Sequence, residues 1–128
     1  MADSRKYNLG GNCAIAAAVG YIIVGITFFS LPLIQRGSQG RLQITEYFNS
    51  VASDSSLLEL QYWSFSFAAL MGLAVVIAAN RYFRDLGEDL VDWATVVGLI
   101  GYGVMCTNFI RIADVIPQRA KFFVEGGE

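Results

Sequence analysis

Residues 14–34 read AIAAAVGYIIVGITFFSLPLI, and none of them is more polar than tyrosine, threonine or serine. A surface helix of a water-soluble domain carries a polar face, and this stretch has none. Extended to the nearest charges it runs from Tyr7 to Gln35, about 29 residues. Two more uncharged stretches follow, Leu60 to Asn80 (about 21) and Trp93 to Ile110 (about 18). At ~1.5 Å per helical residue these measure roughly 44, 32 and 27 Å, against a hydrocarbon core of ~30 Å. The third falls short only until Arg111 is allowed to snorkel, its long side chain reaching the headgroups from an α-carbon below them. Every backbone amide in hydrocarbon needs an internal partner, and nothing here alternates with the period of a barrel strand. The expected fold is therefore all-α: a polytopic membrane protein forming one domain over residues 1–128, with three transmembrane helices at about 11–34, 57–83 and 89–116. A soluble all-α domain is the alternative, and the 14–34 stretch argues against it.

Local signals set the expected boundaries. Arg5 and Lys6 precede the first span as they would a signal peptide, but the apolar run is too long for one and no clean small-x-small cleavage site follows. Pro32 falls in the last turn of this span, where it would kink or end the helix, and residues 37–40 read as the turn beyond. In residues 41–53, Ile44, Tyr47, Phe48 and Val51 have helical spacing. That segment reads either as a short interfacial helix in the first loop or as a loop packed on the end of the bundle. Ser56 followed by Glu59 is a capping-box pattern at the start of the second span, with Asp54 and Ser55 adding acceptors. Tyr62-Trp63 and Tyr82-Phe83 place amphipathic rings ~30 Å apart on that helix, the separation of two headgroup layers. A short acidic connector (Asp85, Glu88, Asp89, Asp92) makes the second and third spans antiparallel neighbours, with Gly87 as a helix C-cap and the carboxylates at the next helix's N-terminus. The third span is expected to pass Arg111 and break at Pro117, leaving Gln118 to Val124 as a separate interfacial segment.

Small residues recur at four-residue steps, the pattern that lets helices approach closely in lipid: Asn12, Ala16 and Gly20; Ser64, Ala68 and Gly72; Ala94 and Gly98, followed by Gly101 and Gly103. Ala16, Gly20, Ser64, Ala68, Gly72, Gly98 and Gly101 are the expected helix-packing residues. Three helices with three such ridges enclose no sizeable pathway, so at least one ridge is expected to face another chain. The bland alternative is that all serve packing within the chain.

The chemistry available is narrow. The chain has no histidine, which removes imidazole bases, histidine-ligated haem and most transition-metal sites. Cys13 and Cys106 lie at different depths, too far apart for a disulfide or a shared metal. No G-x-S-x-G elbow is present. Gly101-Tyr102-Gly103 matches the tripeptide of a potassium-channel filter, but it lies within the third span instead of between a pore helix and an outer span. A net charge of −2 without a basic run gives no reason to expect nucleic acid. Cationic residues split between the two ends, Arg5, Lys6, Arg81 and Arg84 against Arg36, Arg41, Arg111, Arg119 and Lys121, so charge does not decide orientation.

One polar stripe stands out, at the end of the third span: Thr107, Asn108, Arg111, Asp114 and Gln118, most on one side of the helix. Arg111 and Asp114, three residues apart, are placed to pair. Asn108, Arg111, Asp114 and Gln118 are the candidate polar site, for transport or for docking a partner's charge; the bland reading is an interfacial anchor solvated by headgroups. No metal site and no cofactor is expected. The leading expectation is a non-enzymatic membrane subunit in the lipid bilayer that packs as a homo-oligomer or with other membrane subunits. A transporter or channel, or the front half of one, is the first alternative, and a membrane enzyme working through carboxylates or a cofactor that the sequence does not signal is the second. The general look is that of small bacterial multi-span proteins, with a bacterial plasma membrane as the expected location.

Overall fold

The computed structural model describes residues 4–36 and 44–126, and all regular structure among them is helical. Helix α1 spans Ser4–Ser30, a 3-10 turn Leu33–Arg36, α2 Ile44–Ser53, α3 Ser56–Phe83, a second 3-10 turn Arg84–Leu86, and α4 Glu88–Val124. α1, α3 and α4 are each long and apolar enough to cross a membrane. With 27, 28 and 37 residues they measure roughly 40, 42 and 55 Å, so α4 overruns the hydrocarbon by several turns. The turn expected over residues 37–40 and the position of Arg41 lie outside the described residues.

α3 is the centre of the bundle, with α1 and α4 packed on it and barely touching each other. On α1 the buried residues are Ala17, Gly20, Val24 and Thr27, with Leu31 just beyond its end, alternating three- and four-residue steps that make a heptad-like seam. Gly20 meets Ala68 and the backbone of Ser64, and Gly10 meets Ala78, so α1 and α3 run antiparallel in close approach. A second seam on α3 faces α4: Tyr62 and Phe65 stack on Phe109, Gly72 lies under the Tyr102 ring, Val76 covers Gly98 and Asn80 reaches Thr95. The third face of α3, with Leu60, Trp63, Phe67, Leu70 and Ile77, is exposed, as suits a lipid-facing surface. Two buried hydroxyls are satisfied inside their own helices: Thr27 Oγ1 donates to the carbonyls of Ile23 and Val24, and Ser66 Oγ to that of Tyr62.

The two ends are built differently. At the connector end, Asn80 Nδ2 donates to Thr95 Oγ1 (2.8 Å) and Asp92 Oδ1 (3.1 Å), tying the α3–α4 hairpin. Gly87, at φ 149°, occupies a backbone conformation that favours glycine and lets the chain reverse there. It follows a 3-10 turn and precedes α4, so it caps that turn and not α3 itself. At the opposite end α2 packs against α4 and the Leu33–Arg36 turn. Val51 packs with Leu31, Leu58 and Ala120 into a small core flanked by Tyr47, Phe48 and Ile116, and Phe48 meets Phe123 with ring centroids 5.1 Å apart. Both readings of residues 41–53 contribute, for the described part is helical and it is docked on the bundle. Gln35 is buried and latches it, Nε2 donating to Ser50 Oγ (2.9 Å) and to the carbonyl of Asp54 (3.1 Å). Arg36 turns back to donate to the carbonyls of Phe29 and Leu31, closing the C-terminus of α1 that the helix leaves unpaired.

Three boundary expectations need correction. α1 stops at Ser30, before Pro32, because the residue preceding a proline is driven out of the helical region. The α3 N-cap is Ser55 and not Ser56: Ser55 Oγ bonds Glu59, while the Ser56 hydroxyl and amide both donate to Asp54, holding its carboxyl below the ordinary value. Pro117 does not break the last helix, and Gln118 to Val124 continues α4. A proline forfeits one backbone bond, and the packing of Pro117 and Ala120, both buried, offsets that loss.

Candidate functional site

The polar stripe lies toward the far end of the stretch of α4 long and apolar enough to cross a membrane. Counting 20 residues from the Trp93 ring gives ~30 Å, which puts the far hydrocarbon boundary near Ala113. Thr107, Asn108, Arg111, Asp114 and Gln118 are all exposed, and of these Asp114 and Gln118 border a groove against α3. Thr107 returns its hydroxyl to the carbonyls of Gly103 and Val104. Asp114 does not pair with Arg111; its Oδ1 accepts from Gln118 Nε2 at 2.8 Å. Among the described residues neither Asn108 nor Arg111 has a hydrogen-bond or ion-pair partner.

Of the residues expected to pack helices, Gly20, Ser64, Ala68 and Gly72 are buried in the α3 seams, and Gly98 lies against Val76. Ala16 is half-buried beside the α1 seam. Gly101 is exposed, with open space where a side chain would be. That last position belongs to an arrangement that four-residue steps do not reveal. Leu90, Ala94, Val97, Gly101, Val104, Asn108 and Arg111 step by four and three residues along α4, and every one is exposed. α4 thus carries two heptad-like seams, one on α3 and one uncovered. Only 6% of its most apolar window is buried, against 22% in α1 and in α3, so α4 is the least covered of the three spans.

Beside the stripe, α3 and α4 diverge into a groove of about 230 Å³. Glu59 and Trp63 form one wall, Asp114, Gln118 and Lys121 the other, with Ala113 and Pro117 between. Asp114 and Gln118 were legible as site residues; Glu59, Trp63 and Lys121 were not, since their only signal was the antiparallel register of two distant segments. A larger cleft of about 330 Å³ lies at the connector end, lined mostly by apolar groups including Val76, Phe83, Leu90 and Ala94. Cys13 and Cys106 are free thiols, and no group of three potential metal ligands occurs among the described residues.

No protein-family model, no curated protein and no solved structure matches this chain.

Proposed function

We propose that this chain is a non-enzymatic subunit of a bacterial plasma membrane that assembles with copies of itself through the outer face of α4. The observation that carries the reading is the uncovered seam from Leu90 to Arg111. Its small residues, Ala94 and Gly101, permit close approach of a second helix, which is how helices associate in lipid. Copies inserted in one orientation are related by an axis along the membrane normal, so α4 meets its counterpart in parallel and at equal depth. Asn108 then faces Asn108. An amide both donates and accepts, and a lone asparagine in a seam fixes register and copy number.

Site-directed disulfide crosslinking tests this. With Cys13 and Cys106 replaced by serine, Val97→Cys and Val104→Cys should give crosslinked dimer in native membranes, and Ile22→Cys on the exposed side of α1 should not. Gly101→Leu should abolish the crosslink and yield monomer in native mass spectrometry. Monomer from the unaltered chain in nanodiscs, or equal crosslinking at Ile22, overturns the reading.

A transport role is the second reading, favoured by the unpartnered Asn108 and Arg111. Three or more copies closing around an axis would bring these groups to a shared pathway. Proteoliposome flux that Arg111→Ala abolishes would support it; nil flux supports the packing subunit.

A further inference from the structure

We propose that the groove between the start of α3 and the end of α4 binds the headgroup of a zwitterionic phospholipid bearing a primary ammonium, a phosphatidylethanolamine. Depth comes first. A slab of ~30 Å counted from Trp93 would put its far boundary at the level of Trp63 and Ala113, and the groove they line continues outward to Gln118, Glu59 and Lys121. From Asp114 to Lys121 is ~10 Å along the helix, about the thickness of a headgroup layer.

Charge comes second. Two carboxylates and one ammonium line the groove. A lipid of net negative headgroup would meet an excess of negative charge, while a headgroup carrying both signs is matched. Side chains on a helix lean toward its N-terminus. On α4 this returns the Lys121 ammonium toward Gln118, and on the antiparallel α3 it carries the Glu59 carboxylate outward. The two leans bring the charges to one level on opposite walls of the groove, outward of Trp63, so a headgroup lying across it would set its ammonium against Glu59 and its phosphate against Lys121 and Gln118. Asp114 accepts from Gln118 Nε2 at 2.8 Å, which fixes the amide beside the phosphate position. Trimethylated choline offers no N–H to Glu59, and its usual cage of several aromatic faces is replaced here by Trp63 alone. Below the groove, the exposed ridge Trp63, Phe67 and Leu70 gives an acyl chain a surface to follow.

The test is lipid binding to the full chain in detergent by native mass spectrometry, titrating dioleoyl phosphatidylethanolamine, phosphatidylcholine and phosphatidylglycerol in turn. A single charge-assisted contact distinguishes the headgroups, so the ethanolamine lipid should bind about tenfold more tightly than the other two. Glu59→Gln should erase that preference while leaving overall lipid binding. Lys121→Gln should weaken the ethanolamine and glycerol lipids alike, and Arg119→Gln, outside the groove, should change nothing. Water-soluble O-phosphoethanolamine should not compete, since it lacks the acyl chain. Circular dichroism confirms that each variant is folded; if Glu59→Gln is not, Lys121→Gln on the last turns of α4 still decides. Equal binding of the three lipids, a preference for phosphatidylglycerol, retention of the ethanolamine preference in Glu59→Gln, or competition by O-phosphoethanolamine overturns the proposal.

Discussion

Substituting Gly20 by leucine puts the packing of α1 on α3 to a quantitative test. A Cβ at Gly20 would stand 3.0 Å from the Ala68 Cβ and 3.4 Å from the Ser64 carbonyl oxygen, before the rest of the leucine is accommodated. Ala68 is fully buried and attached directly to the α3 backbone, so it has no rotamer by which to yield. The helices must part by ~1 Å, which forfeits a quarter to a half of the dispersion well at each contact across the seam. Overpacking of this kind costs about 1–3 kcal/mol, and replacing glycine in a helix returns roughly 0.5–1 kcal/mol. The net expectation for Gly20→Leu is a loss of about 2 kcal/mol, and for Gly20→Ala a change near zero. Gly25 lies on the same helix with nothing within 4 Å, so Gly25→Leu should fall within about 0.5 kcal/mol of the parent or slightly above it. SDS titration in mixed micelles, followed by circular dichroism and tryptophan fluorescence, reads all three. Equal losses for Gly20→Leu and Gly25→Leu, or a larger loss at Gly25, would refute the assignment of the seam.

Two more outcomes concern the end of the bundle that α2 covers. Gln35→Leu removes two hydrogen bonds to the α2 region, at about 0.5–1.5 kcal/mol each; amides of residues 44–53 should exchange faster in hydrogen–deuterium exchange while those of α3 do not. Burial pushes the Tyr47 hydroxyl above its ordinary pKa of 10.0, with the neighbouring Tyr62 adding to the shift. The native state therefore keeps a proton that the unfolded chain loses, so this contribution is complete below pH ~10 and fades as pH rises through the folded value. Exchange in α2 should accelerate at alkaline pH in the parent and much less so in Tyr47→Phe.

The spans were legible because a hydrocarbon slab demands length and apolarity, and residues 14–34 meet both without a polar face. The seams were less so. Steps of four through Asn12, Ala16 and Gly20 pick out one row of a straight helix, whereas helices that pack along their length keep contact through alternating steps of three and four. Ala17, Val24 and Thr27, the residues that join Gly20 in the contact, therefore went unremarked beside a pattern that shares only Gly20 with them. Pro117 misled for a different reason. A proline's penalty is local, and the packing that offsets it comes from α2 and α3, distant in sequence. The groove is likewise a product of register: Glu59 and Lys121 are 62 residues apart, and only the antiparallel hairpin brings them to one level.

That hairpin also explains why both proposals fall on α4 and not on α1. α1 spends one seam on α3, and Ile15, Val19, Ile22, Ile26 and Phe29, exposed at the same steps of four and three, form a second row that is uniformly large and apolar, with no small residue to admit a close helix and no polar group among them. Such a surface is satisfied by lipid tails. α4 presents its second seam with the same period as its first and ends it in Asn108 and Arg111, groups whose desolvation in lipid has to be met by something. Past the boundary, the same helix turns Asp114 and Lys121 toward α3 instead of outward, and the α2 core holds its last turns in place through Ala120 and Phe123. A helix that only needed to cross the bilayer could have stopped near Ala113. The extra turns of α4, anchored by α2, are what give the groove its second wall.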